Sequence, residues 1–133
     1  MKTKELINAY YSAFNRKDID SFLSLVSEDV EHHINQGKVE IGKSALRDFM
    51  AVMDAHYDEQ VEDLVVMVSD DGTRAAAEFH IRGVYKKTQT GLPVAQNQKY
   101  FIPVGAFFHV KNGKISRISN FYNLKHWIEI VSK

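Results

Sequence analysis

The stretch KYFIPVGAFFHVKNGKISRISNFY, residues 99–122, decides how this chain folds. Tyr100, Ile102, Val104, Ala106, Phe108 and Val110 point one way, while Phe101, Phe107 and His109 point the other. That period of two is the signature of a β-strand. Asn112-Gly113 follows as a hairpin turn, because both central residues of such a turn must tolerate positive φ. Ile115 to Tyr122 then returns as the partner strand. Working outward, Val61 to Ser69 ends in the turn signal Asp70-Asp71-Gly72, and Arg74 to Lys87 supplies another strand. The C-terminal half is therefore an antiparallel meander of strands over 61–69, 74–87, 99–111 and 115–122.

Before the meander the period is 3.6. Leu6, Ile7, Tyr10 and Phe14 make one apolar stripe, closed by Asn15. Asp18 caps a second helix that buries Ile19, Phe22, Leu23 and Val26. Asp29 to Asn35 is extended, with Val30, His32 and Ile34 on one face and Glu31, His33 and Asn35 on the other. Gly37 and Gly42 bracket a short strand, Lys38 to Ile41. Ser44 is the candidate cap of a third helix, with Leu46, Phe49, Met50, Met53 and Tyr57 as its stripe. A last helix, Leu124 to Val131, is anchored by Trp127 and Ile128. Helices followed by a meander make an α+β domain, with the helices packed on one face of a curved sheet. The other face carries Phe101, Phe107 and Phe121. Either a homodimer forms through it, since patches of that size are uncommon on monomers, or the last helix covers it.

At 133 residues, 44% hydrophobic and 26% charged, the chain has the size and composition of one globular domain, residues 1–133. Seventeen basic residues balance seventeen acidic ones, with no cluster of cations, so nucleic acid is not an expected partner. Without cysteine there is no disulfide framework, thiolate nucleophile or Cys-based zinc site, and no His, Asp and Glu spacing forms a metal set. No cofactor and no metal are expected. No apolar run approaches the roughly 20 residues that span a bilayer. The N-terminus enters an amphipathic pattern rather than a signal-peptide core. A cytoplasmic location follows by elimination, with no membrane partner.

Several segments carry a resemblance. They are Tyr10-Tyr11-Ser12-Ala13-Phe14-Asn15, Asp18, Ser27-Glu28-Asp29-Val30, Gly42 to Phe49, and Gly113-Lys114-Ile115 through Tyr122-Asn123. In this order the chain resembles the ketosteroid isomerase-related, SnoaL-like branch of the nuclear transport factor 2-like superfamily. His32 to Gly37 is similar to a ketosteroid isomerase-related group within it. The resemblance implies a cone of helices on a strongly curved, mainly antiparallel sheet, with a small-molecule pocket at its open end and frequent dimers. Fold alone leaves the chemistry open, because isomerases, cyclases, dehydratases, hydrolases and non-catalytic subunits share it.

In ketosteroid isomerases one carboxylate moves a proton, while a tyrosine and a protonated carboxylic acid hold the dienolate oxygen. The resemblance places the oxyanion tyrosine on Tyr10. The proton-transfer aspartate is replaced: counting from Tyr10 reaches Ile34, and counting back from Gly42 reaches His33. Alternation offers His32 instead, and a histidine can serve as base because it titrates near neutrality. The second oxyanion donor falls on Ala106, which has no proton to give. Asn120 and Tyr122 share a face with Ile118 and can orient a carbonyl or hydroxyl group. Catalysis is thus expected from Tyr10, His32 or His33, and Asn120, with a small apolar organic ligand bound by Phe14, Phe49, Met53, Phe79, Phe108 and Tyr122. A non-catalytic carrier of an apolar metabolite is the alternative. Glu78, His80 and Arg82 alternate along one strand as a solvated or interface face. The loop Thr88 to Gln98 is placed to shelter the pocket mouth.

Overall fold

The computed structural model describes residues Met1–Lys133. The chain runs α1 (Thr3–Asn15), α2 (Ile19–Ser24), β1 (Val26–His33), β2 (Val39–Ile41), α3 (Lys43–His56), β3 (Tyr57–Val68), β4 (Arg74–Tyr85), β5 (Gln98–Lys111), β6 (Lys114–Phe121) and α4 (Leu124–Val131). The strands form one curved sheet of order β2-β1-β6-β5-β4-β3. Its meander is antiparallel, as the alternation and turns require, and Asn112 and Gly113 both adopt positive φ, 53° and 74°. The sequence pattern did not show how the N-terminal hairpin docks: β1 joins β6 in parallel, Val26 opposite Ile115 and His32 opposite Ile118.

The alternation on β5 sorts the two faces. Tyr100, Ile102, Val104, Ala106 and Phe108 are buried beneath the helices. Phe101, Phe107 and Phe121 remain 40%, 53% and 56% exposed, so α4 does not cover the outer face. Trp127 of α4 packs instead on the inner side, edge-on to Tyr57, Tyr85 and Tyr100. On β3 a bulge between Glu62 and Val65, with Asp63 at φ 59°, inserts an extra residue. It switches the buried parity from Tyr57 and Val61 to the half-buried Leu64 and Val66.

Several boundaries differ from expectation. Val26 leaves α2 and begins β1, where the Ile115 N–H donates to the Leu25 carbonyl at 2.9 Å. The cap of α3 is Gly42 at φ 105°, not Ser44; its N–H donates to the Val30 carbonyl and docks the helix start onto β1. Tyr57 is extended and opens β3, four residues earlier than the pattern suggested. Asp18 does cap α2, accepting from the Ser21 N–H at 3.2 Å. No helix is long and apolar enough to cross a membrane.

Asn15 does more than end α1. Its amide donates to the Val61 carbonyl at 3.0 Å and accepts from the Val61 N–H at 2.8 Å, standing in for a neighbouring strand at the edge of the sheet. Asn15→Ala leaves both half-buried groups of Val61 unpaired. Urea unfolding should show a loss of about 1–3 kcal/mol with an unchanged m-value; wild-type stability in the variant would mean that solvent satisfies the edge unaided.

Candidate functional site

Between the inner sheet face and helices α1 and α3 lies a cavity of about 310 Å³ with mostly apolar walls. Of the residues expected there, Tyr10, Phe14, His32, Phe49, Met53, Phe79, Asn120 and Tyr122 line it. Two do not. His33 points to the opposite face, half-buried, with its Nε2 3.3 Å from Glu31 Oε1, because one residue along a strand reverses direction. Phe108 is wholly buried core, packed edge-on to Tyr10 at 5.5 Å. Ile34 also lines the cavity, one residue beyond β1, so alternation locates the histidine better than counting does.

His32 is buried, its ring edge-on to Phe49 at 4.6 Å. Burial holds its imidazole below the ordinary histidine range, with Glu40 opposing and His33 reinforcing the shift. The resting ring thus favours the neutral form, which can accept a proton. Tyr10 stands on the facing helix, and burial pushes its phenol up, so it stays a donor across the physiological range. Tyr11, beside it, is pushed up by burial and by Tyr10.

Four buried side-chain polar atoms have no hydrogen-bond partner within the protein: Tyr11 Oη, His32 Nδ1, Asn35 Nδ2 and Ser27 Oγ. The first three belong to residues that line this one cavity. Asn35 is fixed at its other end, where Oδ1 accepts from the Tyr122 N–H at 3.2 Å. Folded proteins rarely leave buried polar atoms unpaired, and such exceptions call for an explanation.

Tyr11, Asn35 and Glu59 were not anticipated. Tyr11 lies one step round α1 from Tyr10, outside the apolar stripe of Leu6, Ile7, Tyr10 and Phe14. Asn35 was assigned to the outer face, but it follows the end of β1, where strict alternation no longer holds. Glu59 fell between a helix assumed to reach Tyr57 and a strand assumed to start at Val61. Carrying the period of two back from Val61 would have placed Glu59 and Tyr57 on the inner face. Its Oε2 accepts from the Tyr100 hydroxyl at 2.5 Å. Burial pushes this carboxyl up, while the Tyr100 bond and Lys17 offset part of the rise. A second hollow, about 490 Å³ between α1–α2 and α3, shares Phe14, Phe22, Met50, Met53, Tyr57 and Glu59 with the inner cavity.

Gln89 and Leu92 of the 88–98 loop reach the inner cavity wall, as expected of a sheltering loop. Tyr85 holds that loop, donating to the Pro93 carbonyl at 2.7 Å and accepting from the Gln89 N–H at 3.0 Å. Tyr57 adds a bond to Gln89 Oε1 at 2.5 Å. Arg82 and His80 are engaged on the outer face, Arg82 with Glu62 at 2.6 Å and His80 stacked on Phe101.

The SnoaL-like domain family matches residues 7–118. The solved structure of a candidate polyketide cyclase from Pseudomonas putida KT2440 is 50% identical, with a TM-score of 0.97 over 98% of each chain. Another candidate polyketide cyclase, from Xanthomonas campestris pv. campestris, is 48% identical, with a TM-score of 0.94 over 97% of this chain and 96% of that one. An NTF2-like protein from Burkholderia pseudomallei K96243 is 13% identical and shares the fold, with a TM-score of 0.76 over 98% of each chain. Comparison with curated proteins found no match.

The lowered pKa of His32 has a consequence for stability. Its folded value lies below the unfolded value, so its contribution is complete above about pH 6.5 and is lost as pH falls through the folded pKa. Urea midpoints measured from pH 7.5 to 5 should therefore drop further in wild type than in His32→Gln. Equal drops would show that the ring is solvated as an ordinary surface histidine.

Proposed function

The chain belongs to the SnoaL-like family, and from that premise we propose that it is an acid–base enzyme, an isomerase, cyclase or dehydratase, acting on an apolar multi-ring carbonyl or hydroxy compound of the polyketide kind. The observation that carries this reading is the set of unpaired polar atoms on Tyr11, His32 and Asn35, all in residues walling one apolar cavity. A ligand oxygen is the partner such a wall asks for.

The chemistry follows from the groups available. A substrate carbonyl oxygen accepts from the Tyr10 hydroxyl, which burial keeps protonated. Neutral His32 takes a proton from the carbon next to that carbonyl, and the bonding pair moves to oxygen as an enolate held by the phenol. The enolate then has three outcomes: conjugated as a dienolate, it takes the proton back at a different carbon, giving an isomer; it attacks a second carbonyl, whose oxygen takes that proton as the ring closes; or it collapses and expels a neighbouring hydroxyl, which leaves with that proton as water. The imidazolium returns its proton in the same cycle, since a charged ring is disfavoured in this burial. Asn120 and Tyr122 orient the substrate. Proton transfer of this kind requires no cofactor. The absence of a donor at Ala106 favours a second reading, a carrier that binds the same ligand without turning it over.

The test uses a panel of fused-ring enones, β-keto acids and hydroxy ketones, with the fastest-reacting member as reporter. Tyr10→Phe keeps the packing and should lower turnover by about 10²- to 10³-fold. In wild type kcat/KM should fall on acidification below about pH 6.5, and His32→Gln should abolish that fall. If wild type turns over no member of the panel, and a co-purified ligand binds wild type and Tyr10→Phe equally, the carrier reading replaces the enzyme.

The same reading includes a second copy of the chain against the outer sheet face. Phe107 and Phe121 meet edge-on at 5.8 Å there, and Val65 and Met67 are exposed as well. Stable pairs bury about 800 Å² per partner. Light scattering at micromolar concentration should give twice the 15.2 kDa chain mass, and Phe107→Glu with Phe121→Glu should give the single mass. A wild-type monomer would remove the claim.

A further inference from the structure

One cross-strand row of the sheet is built around a missing side chain. Glu59 on β3 pairs with Gly83 on β4, and Gly83 pairs with Tyr100 on β5. A Cβ on Gly83 would lie 2.3–2.5 Å from the ring and hydroxyl atoms of Tyr100. The glycine therefore lets the Tyr100 ring lie across β4, so that its hydroxyl reaches over the intervening strand to Glu59 Oε2 at 2.5 Å. That bond leaves Oε1 outside the pair. Glu59 stands in the walls of both the inner cavity and the hollow between α1–α2 and α3.

We propose that Glu59, positioned by Tyr100 across Gly83, is a second acid–base residue of the site, donating from its free carboxyl oxygen to a carbonyl oxygen of the bound ligand where the two hollows meet. This rests on the reading of the cavity as a small-molecule enzyme site and adds the shape of the substrate. His32 lies on β1 and Glu59 on β3, with β6, β5 and β4 between them. Four strand spacings of about 4.8 Å separate them by about 19 Å along the sheet, a distance shortened by its curl and by the inward side chains. A single ring meets one of these groups; an elongated fused-ring compound with an oxygen at each end meets both.

The surroundings shift Glu59 toward the protonated acid. Burial is the main cause of the raised carboxyl pKa. Burial also raises the phenols of Tyr100, Tyr57 and Tyr122, so these neighbours stay neutral. Asp58 adds to the rise in Glu59, and Lys17 opposes it while its Nζ donates to the Glu59 backbone carbonyl. Arg47, Asp48 and Asp54 of α3 face the outer hollow, together with Asp18. A neutral carboxylic acid donates a hydrogen bond, whereas a carboxylate only accepts.

The probes are 2,6-diacetylnaphthalene, with a carbonyl at each end, and 2,6-diethylnaphthalene, with the same carbon skeleton and no oxygen. Binding is read from Trp127, the single tryptophan and part of the cavity wall. The quantity measured is the ratio of the two dissociation constants from pH 5 to 9. In wild type the preference for the diketone should fall about tenfold as Glu59 ionises, the usual worth of one hydrogen bond. Glu59→Gln retains an N–H donor, so its preference should persist at every pH. Tyr100→Phe removes a bond that stabilises the carboxylate and should move the midpoint to higher pH; Gly83→Ala should do the same by displacing the ring. A flat ratio in wild type, or the same fall in Glu59→Gln, overturns the role of Glu59 while leaving the cavity reading intact. Failure of both probes to bind wild type overturns the cavity reading and this proposal with it.

Discussion

The inner face of β5 is the constraint on which the molecule depends. β5 pairs with β4 and β6 on its two sides, so every inward residue from Tyr100 to Phe108 must be kept dry by something packed above the sheet. Helices α1, α3 and α4 cover that face, but the sheet curves away from them. Apolar rings fill part of the gap, among them Tyr11 against Phe79 and Trp127 against Tyr57, Tyr85 and Tyr100. What the rings leave open is the cavity. Its apolar walls in turn set the electrostatics: burial against them is the main cause of the shifts at His32, Tyr10 and Glu59. Fold and site electrostatics share one cause.

The outcome at each titratable group depends on its local partners. Asp71 is fully exposed, yet three donors from Ser69 and Thr73 hold it down at about 2, which makes it a turn-forming group rather than a proton carrier. Glu59 has one donor, Tyr100, and burial outweighs it. His32 Nδ1 has none. The inner groups are therefore those left with fewer bonds within the protein than they can make, and the fold places them around the cavity. A fully satisfied core would have been more stable and chemically inert.

The sheet was legible because alternation on β5 and β6 and the Asn112-Gly113 turn are local signals that tertiary packing reinforces. The same alternation set His32 and His33 on opposite faces, and only the structure shows that His32 is the inner one. The parallel pairing of β1 with β6 was not legible, since no short-range pattern encodes which strand a distant segment joins. Ser44 misled because a serine near a helix start is a common cap, whereas Gly42 starts α3 through a backbone bond to Val30. Tyr57 carried both a helical and a strand pattern, and assigning it to the helix hid Glu59. Gly83 gave no sign of its role, because an absent side chain shows its function only once the Tyr100 ring lies over it. Phe108 was an apolar inner residue like the lining ones, and only depth distinguished it.

The central claim, that the cavity under α1 and α3 receives an oxygen-bearing multi-ring compound, is tested most directly by chemical-shift mapping during titration with 2,6-diacetylnaphthalene. The account predicts saturable shifts at the Trp127 indole, the His32 ring and the Asn35 side-chain amide, with the unpaired His32 and Asn35 nitrogens moving most. Shifts confined to the outer face around Phe101, Phe107 and Phe121, or no saturable shift at all, would contradict it.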